Sequence, residues 1–111
     1  MNYLNEPVYY RLSAITKDFS RVLETLKEEF DNIDKNQQKL DITENESVRQ
    51  IFLHNRDEAI EEVCMTFEWL RRNMHGWDES MHKYIFSSGK IDDPDQSSAS
   101  GKQKSSINIY W

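Results

Sequence analysis

Apolar residues recur along the first half of this chain in alternating steps of four and three: Val8, Leu12, Ile15, Phe19, Val22, Leu26, Ile33 and Leu40. That spacing returns side chains to one face of an α-helix and cannot be accommodated by a strand, whose period is two. Glu29 and Asn36 interrupt the series, while Tyr9, Leu23 and Phe30 widen the stripe to the breadth of a bundle-facing helix. Pro7 suits a first helical position, and no Gly or Pro follows until well past Leu40. A helix over about 7–39 is expected.

Thr43-Glu44-Asn45-Glu46 reads as a capping box, with the Thr43 hydroxyl facing the Glu46 amide and the Glu46 carboxylate reaching back. A second helix over about 44–75 follows, its stripe Val48, Phe52, Ala59, Val63, Phe67, Leu70 and Met74, with Arg56 at the missing step and Gly76 as the stop. So short a connection forces the two helices antiparallel. A third, short helix is expected over about 78–87, capped by Asp78 or Ser80, although Met74, Trp77, Met81 and Tyr84 keep the four-three phase and leave one unbroken helix as the alternative. From Lys90 the composition turns to Ser, Asp, Gly, Gln and Lys, which reads as a disordered tether. The fold class is therefore all-α: a long antiparallel helical hairpin with a short third helix, residues 1–89 forming the helical body and 90–111 a tail ending in aromatics.

Composition narrows the classes of function. Twenty Asp and Glu against fourteen Lys and Arg give a net charge of −6, which disfavours nucleic-acid binding because phosphate neutralisation supplies most of that affinity. A single Cys excludes an intrachain disulfide, no apolar run is long enough to span a membrane, and the first 20 residues carry no secretory pattern, so a cytoplasmic location is expected. There is no Gly-rich phosphate loop, no nucleophile elbow, and no pair of carboxylates in an identifiable pocket. Cys64 reads as a small core residue. His75, Glu79 and His82 would share one face only if the helix ran through Gly76, and read more simply as solvated helix-end residues. No enzyme activity, metal or cofactor is expected.

What remains points to interaction. A two-helix hairpin cannot cover both its wide apolar faces, so Leu12, Phe19, Leu26, Ile33, Phe52, Phe67, Trp69 and Trp77 are candidates for contact with a second copy or another protein. The leading expectation is a non-enzymatic protein that oligomerises and binds or blocks a partner as an inhibitor or adaptor, of a size, acidity and helicity shared with small phage-encoded inhibitors. An alternative is sequestration of an anionic nucleotide by Arg71, Arg72, His75 and Lys83 beside Trp69 and Trp77; a lesser one is nucleic-acid mimicry by the acidic faces, which interleaved lysines argue against. The terminal Ile107, Ile109, Tyr110 and Trp111 form a candidate docking string. The outline also resembles WXG-type secretion substrates, but their Trp-x-Gly turn is replaced by Asp41-Ile42-Thr43. The stripe predicts that Leu26→Asp unfolds or dissociates the protein while Glu58→Lys is nearly silent; unchanged melting temperatures for both would mean the helix register is wrong.

Overall fold

The computed structural model describes residues 10–94, and Pro7, Val8, Tyr9 and the terminal string Ile107 to Trp111 lie outside the described residues. Three helices follow in order: α1 (Ala14–Ile42), α2 (Glu46–Asn73) and α3 (Trp77–Tyr84). The long helical hairpin with a short third helix is thus present. The chain divides into two compact units at Leu70, the first holding α1 and most of α2, the second running from Arg71 through α3.

The helix ends differ from the expected ones for reasons of capping. α1 starts at Ala14, not near Pro7, because Ser13 is extended (φ −66°, ψ 160°) and its hydroxyl accepts the Thr16 N–H at 3.2 Å. That contact satisfies one of the four amides left unpaired at a helix start. At the other end α1 continues to Ile42, and Thr43 closes it by donating its N–H to Lys39 O at 3.0 Å. Thr43 therefore ends one helix and does not begin the next. Asn45 caps α2 instead: its side-chain oxygen accepts the Val48 N–H at 3.2 Å and the Ser47 hydroxyl at 2.7 Å. Asn is the better N-cap of the two, which accounts for α2 starting at Glu46.

α1 has 29 residues and α2 has 28, so each extends roughly 42–44 Å. Contacts within the first unit run antiparallel. Phe19 meets Trp69 edge-on with ring centres 5.8 Å apart, Phe30 meets Phe67 at 6.3 Å, the Gln37 side chain accepts from Arg56 at 3.0 Å, and the Lys39 ammonium lies 5.2 Å from the Phe52 ring centre. Near the turn, Arg49 donates to the Leu40 carbonyl. Leu26, Leu40, Ala59 and Val63 are buried along this seam.

In the second unit the break favoured at Gly76 is present. Gly76 has φ +98°, a left-handed conformation in which a side chain would be strained, and it precedes α3 without any side-chain cap. Neither Asp78 nor Ser80 caps it; both lie inside α3, which ends at Tyr84. Beyond it, Asp93 donates its N–H to Lys90 O at 3.2 Å, so the start of the expected tether is a turn. No helix among the described residues is long and apolar enough to cross a membrane. Asn45→Ala should lower the unfolding free energy by ~1 kcal/mol, with Thr43→Ala well below that; urea melts that rank the two the other way would restore the Thr43 cap.

Candidate functional site

Glu29, Asn32 and Asn36 recur on α1 at i, i+3 and i+7, and Asn55, Glu58, Ala59 and Glu62 recur at the same helical spacing on α2. Together they line one groove of the hairpin. At about 100° per residue, Glu29 and Phe30 fall on opposite flanks of the buried Leu26, and Glu62 and Phe67 on opposite flanks of the buried Val63. One flank of the seam is consequently polar and carboxylate-lined, and the other carries the Phe30–Phe67 ring pair. Glu29 and Asn36, the two interruptions of the α1 stripe, are the residues that make this groove.

Glu29 and Glu62 meet across it. Desolvation in the groove is the largest cause of a pKa for Glu29 raised above its ordinary 4.5, followed by a hydrogen bond with Glu62 and the negative charges of Glu62 and Glu28; Asn32 opposes the shift by hydrogen bonding to Glu29. Asn36 in turn donates from its side chain to Asn32 O at 2.8 Å, holding the α1 side of the groove in order. The expectation that no paired carboxylates share a pocket is corrected here: the pair spans two helices, and each member taken alone looks like part of a solubilising face. Ala59, 3% exposed, contributes only a methyl between Asn55 and Glu62.

Other expected residues are placed differently. Leu26 is buried, and Phe19, Ile33, Phe52, Phe67 and Trp69 are half-buried, four of them in the hairpin's own ring and cation contacts. Leu12 is half-buried just ahead of the α1 cap, and Trp77 donates its ring N–H to Met74 Sδ at 3.3 Å. Ile15, Phe30, Ile51, Ile60 and Met65 are left exposed. Cys64, expected in the core, is exposed, because one step past Val63 turns it out of the seam. Arg71 is bound to Asp78 at 2.6 Å, and Arg72 and His75 share their depression with Asp78 and Glu79, so its charge is mixed. Lys83 lies against the Tyr84 ring at 5.3 Å. His82 faces Asp78, and no group of three metal-type side chains gathers among the described residues.

Two antiparallel helices that project carboxylates into a shared groove resemble one half of the four-helix bundle in which ferritin-like carboxylate proteins build their sites. A family model described as EncFtn-like matches residues 4–88. A Thermotoga maritima protein named ferritin-like protein is 40% identical over 99 residues, 89% of this chain and 86% of that protein. A Rhodospirillum rubrum protein named encapsulated ferritin-like protein is 36% identical over 90 residues, 81% of this chain and 64% of that protein, so the chain spans less than two thirds of this second relative. The crystal structure of a Nitrosomonas europaea protein is similar with a TM-score of 0.74 and 32% sequence identity, covering 78% of this chain and 96% of that one. This chain belongs to the EncFtn-like family.

Membership corrects the functional expectations. An inhibitor or adaptor, a nucleotide-sequestering protein and a nucleic-acid mimic are all set aside, because the family and its named relatives are ferritin-like. The expectation of no enzyme activity is likewise at odds with the family. For the pair itself, a carboxyl whose native pKa is raised stabilises the fold when protonated; the contribution is full below 4.5 and fades as pH rises through the higher native value. Glu29→Gln should therefore raise the melting temperature at pH 7, with the gain shrinking as pH falls toward 4.5. An equal or lower melting temperature at pH 7 would remove the like-charge contact from the description of the groove.

Proposed function

We propose that this chain is a ferritin-like iron-handling protein that works as a homo-oligomer and takes iron, as substrate, at its carboxylate groove. The observation that carries this reading is that Glu29 of α1 and Glu62 of α2 line one groove of the hairpin in a member of a ferritin-like family. Ferritin-like di-iron bundles hold their metal largely with glutamate carboxylates projecting inward from facing helices. One hairpin does not by itself fit the ion: two facing carboxylates with Glu58 beside them are too few ligands, and no group of three forms among the described residues. A second copy presenting the same groove would double the set. Like-charged grooves repel, so bound cations would hold such a pair together.

The apolar side of the hairpin supports self-association. Phe30 and Ile60, 48% and 41% exposed, flank the seam on the side away from the carboxylates, and exposed apolar residues grouped this way mark contact surfaces more often than solvent faces. The seam residues Leu26, Phe19 and Phe67 would then act through the hairpin they build, with Phe30 and Ile60 meeting a further copy on the flank opposite the groove. The relative from Rhodospirillum rubrum is named as encapsulated, and enclosure in a protein shell in the cytoplasm is the corresponding proposal for location.

Anaerobic titration with ferrous iron, followed by light scattering on the same samples, tests the reading. The wild type should bind iron as an oligomer, Glu29→Gln with Glu62→Gln should lose the iron, and Phe30→Asp should lower the mass. A wild type that stays monomeric and takes up no iron would end it.

A further inference from the structure

The groove keeps the spacing of a ferritin-like site but not its residues. Di-iron carboxylate bundles use one Glu from a helix of each pair and a Glu-x-x-His motif from the other, so that each hairpin brings two carboxylates and an imidazole. Here α1 brings Glu29. On α2 the residue facing Glu29 is Glu62, and three positions before it, lining the same groove, is Ala59. A methyl stands where the motif has a carboxylate, and a carboxylate stands where it has an imidazole.

No other histidine restores the set. The chain has three. The His54 side chain is 71% exposed and, although its Nε2 lies 3.2 Å from the groove residue Glu58, it is not among the residues lining the groove. His75 and His82 belong to the second unit. Glu79-Ser-Met-His82 has the motif's spacing, yet it lies on the eight-residue α3, where His82 Nδ1 is engaged by the Asp78 carbonyl at 2.8 Å and the Asp78 carboxylate lies 3.3 Å away.

We infer that this chain builds no histidine-bearing di-iron oxidation centre, and that Ala59 and Glu62 are the two residues that separate it from one. The inference rests on the iron-handling reading and narrows it: the groove holds iron between oxygens and does not accelerate its oxidation. Losing two ligands of each set removes more than an outer hydrogen bond would, and even that loss lowers affinity or activity by ~10–100-fold.

The test compares the full chain with Ala59→Glu/Glu62→His, and with Glu62→His alone in case the double variant fails to fold. Ferrous iron is added in air and followed by ferric absorbance and oxygen uptake. In the reaction sought, two ferrous ions each lose one electron, and dioxygen takes both with two protons and leaves as hydrogen peroxide. The wild type should match the buffer rate, and a folded variant should exceed it by on the order of 10–100-fold. Wild-type oxidation at that enhanced rate overturns the inference, as does a folded, iron-binding double variant that stays at the buffer rate. Cobalt(II) gives a second readout independent of turnover: strongly shifted exchangeable imidazole proton resonances should appear with either variant and be absent with the wild type, and their presence in the wild type overturns the inference. Failure of the iron-handling reading looks different, since it is an anaerobic wild type that binds no ferrous iron at all.

Discussion

Packing of α1 against α2 through Leu26, Leu40, Ala59 and Val63 is the constraint on which the rest of the structure depends. With so few buried side chains in the seam, the register of the two helices is held by what lies beside it. Arg56, its side chain only 11% exposed, reaches across to Gln37 while binding Asp57 through two nitrogens, and Arg49 closes on the Leu40 carbonyl at the turn. The exposed ion pairs on α1, such as Lys35–Asp31 and Arg21–Asp18, add little to stability and mainly keep the outer face solvated. Register matters because a shift along either helix would part Glu29 from Glu62.

That narrow seam also divides the hairpin chemically. Carboxylates and carboxamides lie along one flank, and phenylalanines with Ile60 along the other. Among the described residues the hairpin is incomplete in two ways at once: its apolar flank is left exposed at Phe30 and Ile60, and its carboxylate flank gathers too few ligands for a metal. In the proposed assembly a copy facing the groove would complete the ligand set, and a further copy on the opposite flank would cover Phe30 and Ile60. On the inference drawn above, Ala59 and Glu62 would make such an assembly one that holds iron without oxidising it.

Much of the architecture was legible in the sequence because burial imposes a period. The four-three stripe identified both long helices, and Gly76, the one residue able to adopt φ +98° without strain, identified the break before α3. Helix ends were harder to read where two good capping residues stand close together; Thr43 and Asn45 both qualify, and only the backbone geometry assigns the first to α1 and the second to α2. The site was harder still. Glu29 and Asn36 stood out as interruptions of an apolar series, which was the available signal, but their partners Asn55 and Glu62 sit on another helix among other acids. Arg71, Arg72 and His75 cluster in sequence as a basic run, whereas in space Asp78 and Glu79 join them.

Iron-edge anomalous diffraction from crystals grown anaerobically with ferrous iron tests the central claim most directly. Two copies should meet with their grooves facing, and anomalous density should lie between Glu29 and Glu62 of one copy and the same pair of the other, with oxygen ligands alone. Iron bound elsewhere, or facing grooves that hold none, would contradict it.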